Sequence, residues 1–270
     1  MDCAERDRKA YELGMVFLLS KKDKGITKDV LERYLSGENK SRPNSIPGIF
    51  RRMLGSAKNA NMISGVIGDI KKLRPVLFAF NPARVLFKYP DWKSLFNTIE
   101  VSINPPGKMR STKRSIWPRF CRATLSSASF LGQFSSAADF YSWCDTFDKD
   151  SRSRLALPLL LDKEIDGYGF ALACDFLKEL GYQNYGKPDV HIRDIFEGLG
   201  LCRLRASNYS LQKAIIRIAD NVGVPPYRVD KMFWLIGSGY FYYDKETIGK
   251  KGRIGRMKAE FISIAKSRMI

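Results

Sequence analysis

The chain has 270 residues and carries 46 lysines and arginines against 28 aspartates and glutamates, which gives a formal net charge of +18. Such a charge attracts polyanions and makes their binding dependent on salt. The apolar run at 15–19 is too short to span a membrane, and the cysteines are scattered without a C-x-x-C pair, so we expect a cytoplasmic protein without a membrane segment.

The first 72 residues are predicted to form a small separate domain. Apolar residues at helical spacing predict helices at 4–19, 26–35 and 49–54. The segment 62–68 resembles a short strand pair that turns at a glycine. Three helices and a β-turn resemble a winged helix-turn-helix, while a purely helical cap on the rest of the chain is the alternative. The boundary is expected at 69–75.

From residue 73 onward the pattern is helical almost to the end, with a basic loop at 104–114 that is rich in proline and glycine. The length suffices for one large core or two smaller ones. The fold class is therefore predicted to be mainly α. The predicted helices are 91–99, 116–131, 136–147, 155–161, 170–180, 190–199, 211–222 and 227–237. The first of them follows Pro90 and is predicted to be capped at its start.

Two glycines predict a tight turn between two helices. Gly167 and Gly169 can adopt backbone angles closed to other residues, and they remove side chains that would keep an anion away from the backbone amides. The helix that follows, at 170–180, points the amides of its first turn toward such an anion. The alternative is an ordinary turn between helices that is closed by glycines.

An isolated aspartate follows that helix, in the sequence Lys187-Pro188-Asp189-Val190-His191. Asp189 precedes the stretch at 190–199 and is predicted to cap that helix. A capping carboxylate has a fixed direction, whether or not it also takes part in chemistry. His191 is the only histidine, so no histidine pair is available, and we expect it to support the aspartate loop structurally.

The glycine turn, one helix and then the aspartate resemble the helix-hairpin-helix DNA glycosylase superfamily, which includes endonuclease III, the adenine-mismatch glycosylase and the alkylpurine glycosylases. The resemblance implies a two-lobed all-α glycosylase domain over 73–270, with the hairpin at about 161–181 and the aspartate loop at 186–191. It implies that DNA phosphate contacts Gly167, Tyr168, Gly169 and Ala171. It also implies that Asp189 faces a flipped-out nucleotide, stabilises an oxocarbenium-like sugar and positions water.

Departures from the family pattern refine this expectation. Relatives that also cut the DNA backbone carry a nucleophilic lysine where this chain has Ala171, so the resemblance implies a monofunctional enzyme that leaves an abasic site. Some relatives hold an iron-sulfur cluster on four closely spaced cysteines. The cysteines here are far apart, so we expect no such cluster and no other metal, except a monovalent cation at the hairpin. The scattered cysteines are Cys3, Cys121, Cys144, Cys174 and Cys202.

The stretch 101–138 contains no acidic residue and supplies most of the other candidate contacts. The predicted basic DNA contacts are Lys113, Arg114, Arg119 and Arg122. Aromatic faces stack on bases and attract cationic alkylated purines, although aromatics at helical spacing are more often core. The candidates for a base pocket are Trp117, Phe120, Ser127, Tyr141 and Trp143.

The leading hypothesis is thus a monomeric monofunctional DNA glycosylase acting on double-stranded DNA. Its substrate is either an alkylated or otherwise damaged base, as in repair, or a bulky modified base of foreign DNA, as in phage defence. The alternatives are a non-catalytic protein that keeps the hairpin as a phosphate clamp and a glycosylase with lyase activity from another lysine.

Overall fold

A computed structural model describes residues 1–37, 42–59, 64–105, 108–241 and 252–269. Over these residues the chain contains no β-strand, only an isolated antiparallel bridge between Tyr240 and Arg253, so the predicted mainly α class is confirmed. No helix in the described ranges is long and apolar enough to cross a membrane. The described helices are α1 (Cys3–Leu19), α2 (Lys28–Ser36), α3 (Ile46–Ala57), α4 (Ser64–Ile67), α5 (Pro82–Lys88), α6 (Trp92–Ile103), α7 (Ile116–Leu131), α8 (Ala137–Asp148), α9 (Ala156–Glu164), α10 (Phe170–Glu179), α11 (Val190–Gly198), α12 (Asn208–Val222), α13 (Pro226–Ser238) and α14 (Lys258–Arg268).

The chain divides into two compact units. The first unit comprises Met1–Lys40 and Gly181–Ile270, and the second unit comprises Ser41–Leu180. This division differs from the predicted boundary near residue 72, because the N-terminal helices α1 and α2 pack on the C-terminal helices α12 and α13. The first unit is therefore built from both ends of the chain.

A buried carboxylate ties the two ends of the first unit together. Asp7 on α1 is fully buried and accepts hydrogen bonds from Arg217 Nε at 2.7 Å and Nη2 at 2.8 Å, both from α12. The side-chain amide of Asn221 donates a third bond to it at 2.8 Å. Two nitrogens of one guanidinium thus meet both carboxylate oxygens, a geometry that compensates for the burial of charge. The sequence around Asp7 does not indicate that Arg217, 210 residues later, is its partner.

The second unit is organised around α7, which contacts α3, α5 and α6. Its predicted bounds, 116–131, are those observed. The predicted cap of the helix after Pro90 is also confirmed, since the Asp91 side chain accepts a 2.8 Å bond from the Ser94 amide. The ring of Phe176 on α10 packs against Phe140 on α8, with centroids 6.2 Å apart. These contacts fix α10, the helix that follows the glycine turn.

The predicted strand pair at 62–68 is wrong for the residues that the structure describes. Ser64–Ile67 form the single helical turn α4, and residues 62 and 63 lie outside the described ranges. Ile67 is buried while Gly65 and Val66 are exposed, and α4 contacts α7. A single helical turn can pack through one buried apolar side chain. The short apolar run at 62–68 therefore did not distinguish a helix from a strand. The described part of this segment therefore offers no wing.

Substitution of Ala79 by glycine should raise the melting temperature. Ala79 is exposed and has φ 55° and ψ 31°, a left-handed conformation that costs an L-residue about 1–2 kcal/mol. Glycine removes this cost. It also increases the entropy of the unfolded chain, which destabilises the fold by about 0.5–1 kcal/mol, so the net effect is stabilising. Ala83→Gly, at an exposed site inside α5, is the matched control and should lower the melting temperature. A lower melting temperature for Ala79→Gly would contradict the strained turn.

Candidate functional site

The predicted glycine turn is present as a helical hairpin, a tight turn between two contacting helices of the second unit. Helices α9 and α10 contact each other and are joined by residues 165–169, where the Tyr168 amide donates to the Ile165 carbonyl at 3.1 Å. Gly167 and Gly169 have φ values of 77° and 79°. With ψ at 150°, Gly169 occupies a region that is essentially restricted to glycine. The backbone therefore requires glycine at position 169 and favours it at position 167.

Helix α7 holds this turn from one side through three residues. Arg119 Nε donates to the Gly167 carbonyl at 2.8 Å. Arg122 Nε lies 2.9 Å from Asp166 Oδ2, and Ser126 Oγ accepts from the Asp166 amide at 3.0 Å. The three α7 residues are spaced i, i+3 and i+7, so they lie on one helical face. We call this set, with Gly167 and Asp166, the α7 brace.

The α7 brace gives the predicted basic contacts different surroundings. Arg119 and Arg122 are half-buried and engaged with the hairpin, and Arg122 Nη2 also donates to the Lys113 carbonyl at 3.1 Å. The side chains of Lys113 and Arg114 are exposed in the loop before α7. The sequence showed four equivalent cations. The structure separates two exposed ones from two that support the turn.

The hairpin residues predicted to meet an anion also differ from each other. The Tyr168 side chain is 1% exposed, and its hydroxyl donates to the Met53 carbonyl on α3 at 3.0 Å, so it anchors the turn inward. Gly169 caps α10 without a side-chain hydrogen bond, and Ala171 lies half-buried in the first turn. The amides of such a first turn lack acceptors within their helix and carry the positive end of its dipole. The backbone around Gly169 is thus the part suited to an anion.

Asp189 belongs to the first unit and caps α11, as predicted. Its Oδ1 accepts from the amides of His191 at 2.9 Å and Ile192 at 3.3 Å. Among the residues that the structure describes, none donates a hydrogen bond to Oδ2. The residue is half-buried, not sealed in the interior. Oδ1 therefore fixes the direction of the carboxylate.

The charge on Asp189 is disfavoured by its surroundings. Burial raises the pKa of the Asp189 carboxyl above its ordinary value, and the nearby charge of Asp230 raises it further, while Lys187 and His191 oppose the shift. Burial lowers the pKa of His191, whose ring meets Trp234 edge-on with centroids 6.4 Å apart. Asp230 is fully buried on α13 and packs against Gly186 at the start of the aspartate loop. Its part in this environment had no sequence signal.

The residues predicted for a base pocket all lie in the second unit but fall into two groups. Trp117 and Phe120 are buried and meet edge-on at 6.1 Å, and Ser127 is fully buried on the same helix. Tyr141 donates to the Pro43 carbonyl at 3.0 Å. Trp143 belongs to a cluster with Phe130, Phe134, Phe140 and Phe147. Among the described residues, no ring contact joins Trp117 and Phe120 to the cluster of Trp143. The burial of Trp117, Phe120 and Ser127 is what the core interpretation expects.

The comparisons with known proteins add no identification. No protein-family model, curated protein or solved structure matches this chain. In the described ranges, no three histidine, cysteine, aspartate or glutamate side chains are grouped so that they could hold a metal ion. The features of the chain that bear on its function are therefore the hairpin, the α7 brace and Asp189.

Gly167→Ala should lower the melting temperature by more than Gly223→Ala. Gly223 has φ 70°, so both variants carry a similar backbone strain of about 1–2 kcal/mol. A Cβ at Gly167 would lie 2.9 Å from Cγ and 3.2 Å from the carbonyl oxygen of Arg119, whereas one at Gly223 meets nothing within 4 Å. Equal losses, measured by differential scanning calorimetry, would contradict the close approach of α7 to the turn.

Asp189→Asn should melt at a higher temperature than the wild type at pH 7. Because folding raises the pKa of Asp189, its contribution to stability is present below the unfolded pKa of about 3.9 and is lost as the pH rises through the folded value. Asparagine caps a helix about as well as aspartate and stays neutral. The gain should shrink as the pH falls toward 3.5, and Asp189→Ala, which loses the cap, should be less stable than Asp189→Asn. If Asp189→Asn is less stable than the wild type at pH 7, the negative charge of Asp189 stabilises the fold, which contradicts the prediction.

Proposed function

We propose that this protein is a monofunctional DNA glycosylase, which hydrolyses the bond between a damaged or modified base and its deoxyribose and leaves an abasic site. The observation that carries the proposal is Asp189. It is a half-buried carboxylate, fixed as a helix cap through one oxygen, and it follows the glycine turn by one helix in the chain. That order is the one that resembles the helix-hairpin-helix glycosylases.

The hairpin supplies the proposed grip on the DNA backbone. Gly167 and Gly169 place no side chain between their amides and an approaching phosphate, and the first turn of α10 adds its dipole. The α7 brace holds the turn in advance of binding, which reduces the ordering cost of association. A net charge of +18 supports a polyanionic partner, because phosphate binding releases counterions.

Asp189 supplies the proposed chemistry. As the glycosidic bond breaks, positive charge develops on the sugar, and a fixed carboxylate nearby stabilises it. Oδ2, to which none of the described residues donates a hydrogen bond, is suited to orient the attacking water. Ala171 stands where the lysine nucleophile of lyase-type relatives would be, so water is the nucleophile in this proposal.

The substrate must leave the base stack before it reaches such a carboxylate. Flipping costs a few kcal/mol, and less for a damaged or mispaired base. The two candidate classes of substrate are an alkylated or otherwise damaged base and a bulky modified base of foreign DNA. Of the aromatic candidates, all of which lie in the second unit, Tyr141 and Trp143 retain partly exposed side chains.

Duplexes that each carry one damaged or hypermodified base test the proposal. The wild type should release the free base and leave an alkali-labile site in at least one duplex. Asp189→Asn should lower the rate of release by at least about 100-fold, the order of magnitude for loss of one transition-state contact, while its affinity changes less than about twofold. Release by Asp189→Asn at the wild-type rate would contradict the assigned role.

The same experiment separates the alternatives. Binding by both proteins with no base released from any duplex would favour a non-catalytic clamp. Trapping of a covalent adduct by borohydride would favour a lyase. Gly169→Ala should weaken binding to all duplexes alike, because phosphate contacts position the protein and do not specify sequence. Its Cβ would make one ordinary contact, 4.0 Å from Asp162 Oδ1, so backbone strain is the main change.

A further inference from the structure

Helix α5 in the second unit presents an aromatic ring almost entirely to solvent. Phe87 is 94% exposed, and its neighbour Leu86 is 39% exposed. Val85 on the same helix is fully buried. Phe87 lies two residues further on, about 200° around the helix axis, so it points away from the core. Burial within the unit therefore does not account for a phenylalanine at this position.

The surroundings of Phe87 are positively charged. Residues 70–90 contain five lysines and arginines and no aspartate or glutamate. All five cations are exposed, and none of them forms an ion pair with another residue that the structure describes. Arg84 shares the outward face with Phe87, since residues three apart are neighbours on a helix, and Lys88 lies at the edge of that face. We call Arg84, Leu86, Phe87 and Lys88 the Phe87 patch.

Both ends of α5 are fixed by hydrogen bonds. At its start, the Asn81 side chain accepts a 3.1 Å bond from the Arg84 amide. At its end, the hydroxyl of the buried Tyr89 donates to the Val76 carbonyl at 2.8 Å. The second bond ties the end of the helix to the turn that precedes it. The Phe87 patch is therefore held in place before a partner arrives, which lowers the ordering cost of binding.

An exposed aromatic ring beside cations has the composition of a protein-binding surface. Phenylalanine and arginine are enriched at the centres of protein interfaces. Phosphates of a nucleic acid would engage the cations but would leave the ring in water. Helices that bind lipid surfaces bury an apolar face along their length, whereas α5 has seven residues and only two exposed large apolar side chains. The Phe87 patch therefore fits a short protein segment better than a nucleic acid or a membrane.

We propose that the Phe87 patch docks a short acidic segment of a partner protein, whose carboxylates bind Arg84 and Lys88 and whose apolar side chain covers Phe87. Complementary charge gives such a contact its specificity and its speed of association, and the apolar contact at Phe87 carries most of the affinity. The patch contains no residue of the hairpin or of the α7 brace. This docking site goes beyond the proposed hydrolysis, and partner binding does not require catalysis.

The anisotropy of a fluorescent peptide in which two glutamates alternate with one leucine tests the proposal. The wild type should bind this peptide at least about tenfold more tightly than a peptide of equal charge with serine in place of leucine. Phe87→Ser should weaken binding of the leucine peptide at least about tenfold, and Phe87→Leu should retain most of it. Arg84→Gln should weaken it about two- to fivefold, with less effect at high salt. Val101→Ser is the matched control, since Val101 is an exposed aliphatic residue on α6 of the same unit, and it should bind as the wild type does.

Absence of binding by the wild type, equal binding of the two peptides, or unchanged binding by Phe87→Ser would overturn the docking proposal. Equal binding would reduce the contact to general attraction by the net charge of +18. Binding to phosphatidylglycerol vesicles that depends on Phe87, without such dependence for the peptide, would assign the patch to a membrane instead. Base release from damaged duplexes should be the same for Phe87→Ser and the wild type. Loss of base release with peptide binding intact would assign the patch to the DNA substrate and overturn the proposal.

Discussion

The brace between α7 and the hairpin is the constraint on which the proposed DNA contact depends. Two glycines allow the turn, but glycines also leave it free to move. Arg119 binds the carbonyl of Gly167, and Asp166 is held through both its carboxylate and its amide. The backbone amides around Gly169 are thereby kept in place without a side chain that would block an anion.

Asp189 caps α11, and the proposed chemistry would use the same carboxylate. Its role as a cap orients Oδ1, while burial and Asp230 make the charged form less favourable. Stability alone would be served better by an asparagine at pH 7, because it caps the helix without a buried charge. A charge retained against its environment is typical of functional sites.

The sequence predicted those parts of the fold that local patterns determine. The bounds of α7, the caps at Asp91 and Asp189 and the glycine hairpin all follow from periodicity and from side chains close in the chain. Distant packing could not be predicted. The partnership of Asp7 with α12 places both chain ends in one unit, and the engagement of Arg122 with the hairpin is invisible among many similar cations.

The central claim is that Asp189 drives hydrolytic release of a base. Counting abasic sites by mass spectrometry in alkylated DNA and in hypermodified phage DNA, after incubation with wild type or Asp189→Asn, tests it most directly. We predict that abasic sites and free base accumulate in equal amounts with the wild type in at least one DNA, and stay at background with the variant. Equal accumulation with both proteins, or background levels with both in every DNA, would contradict the claim.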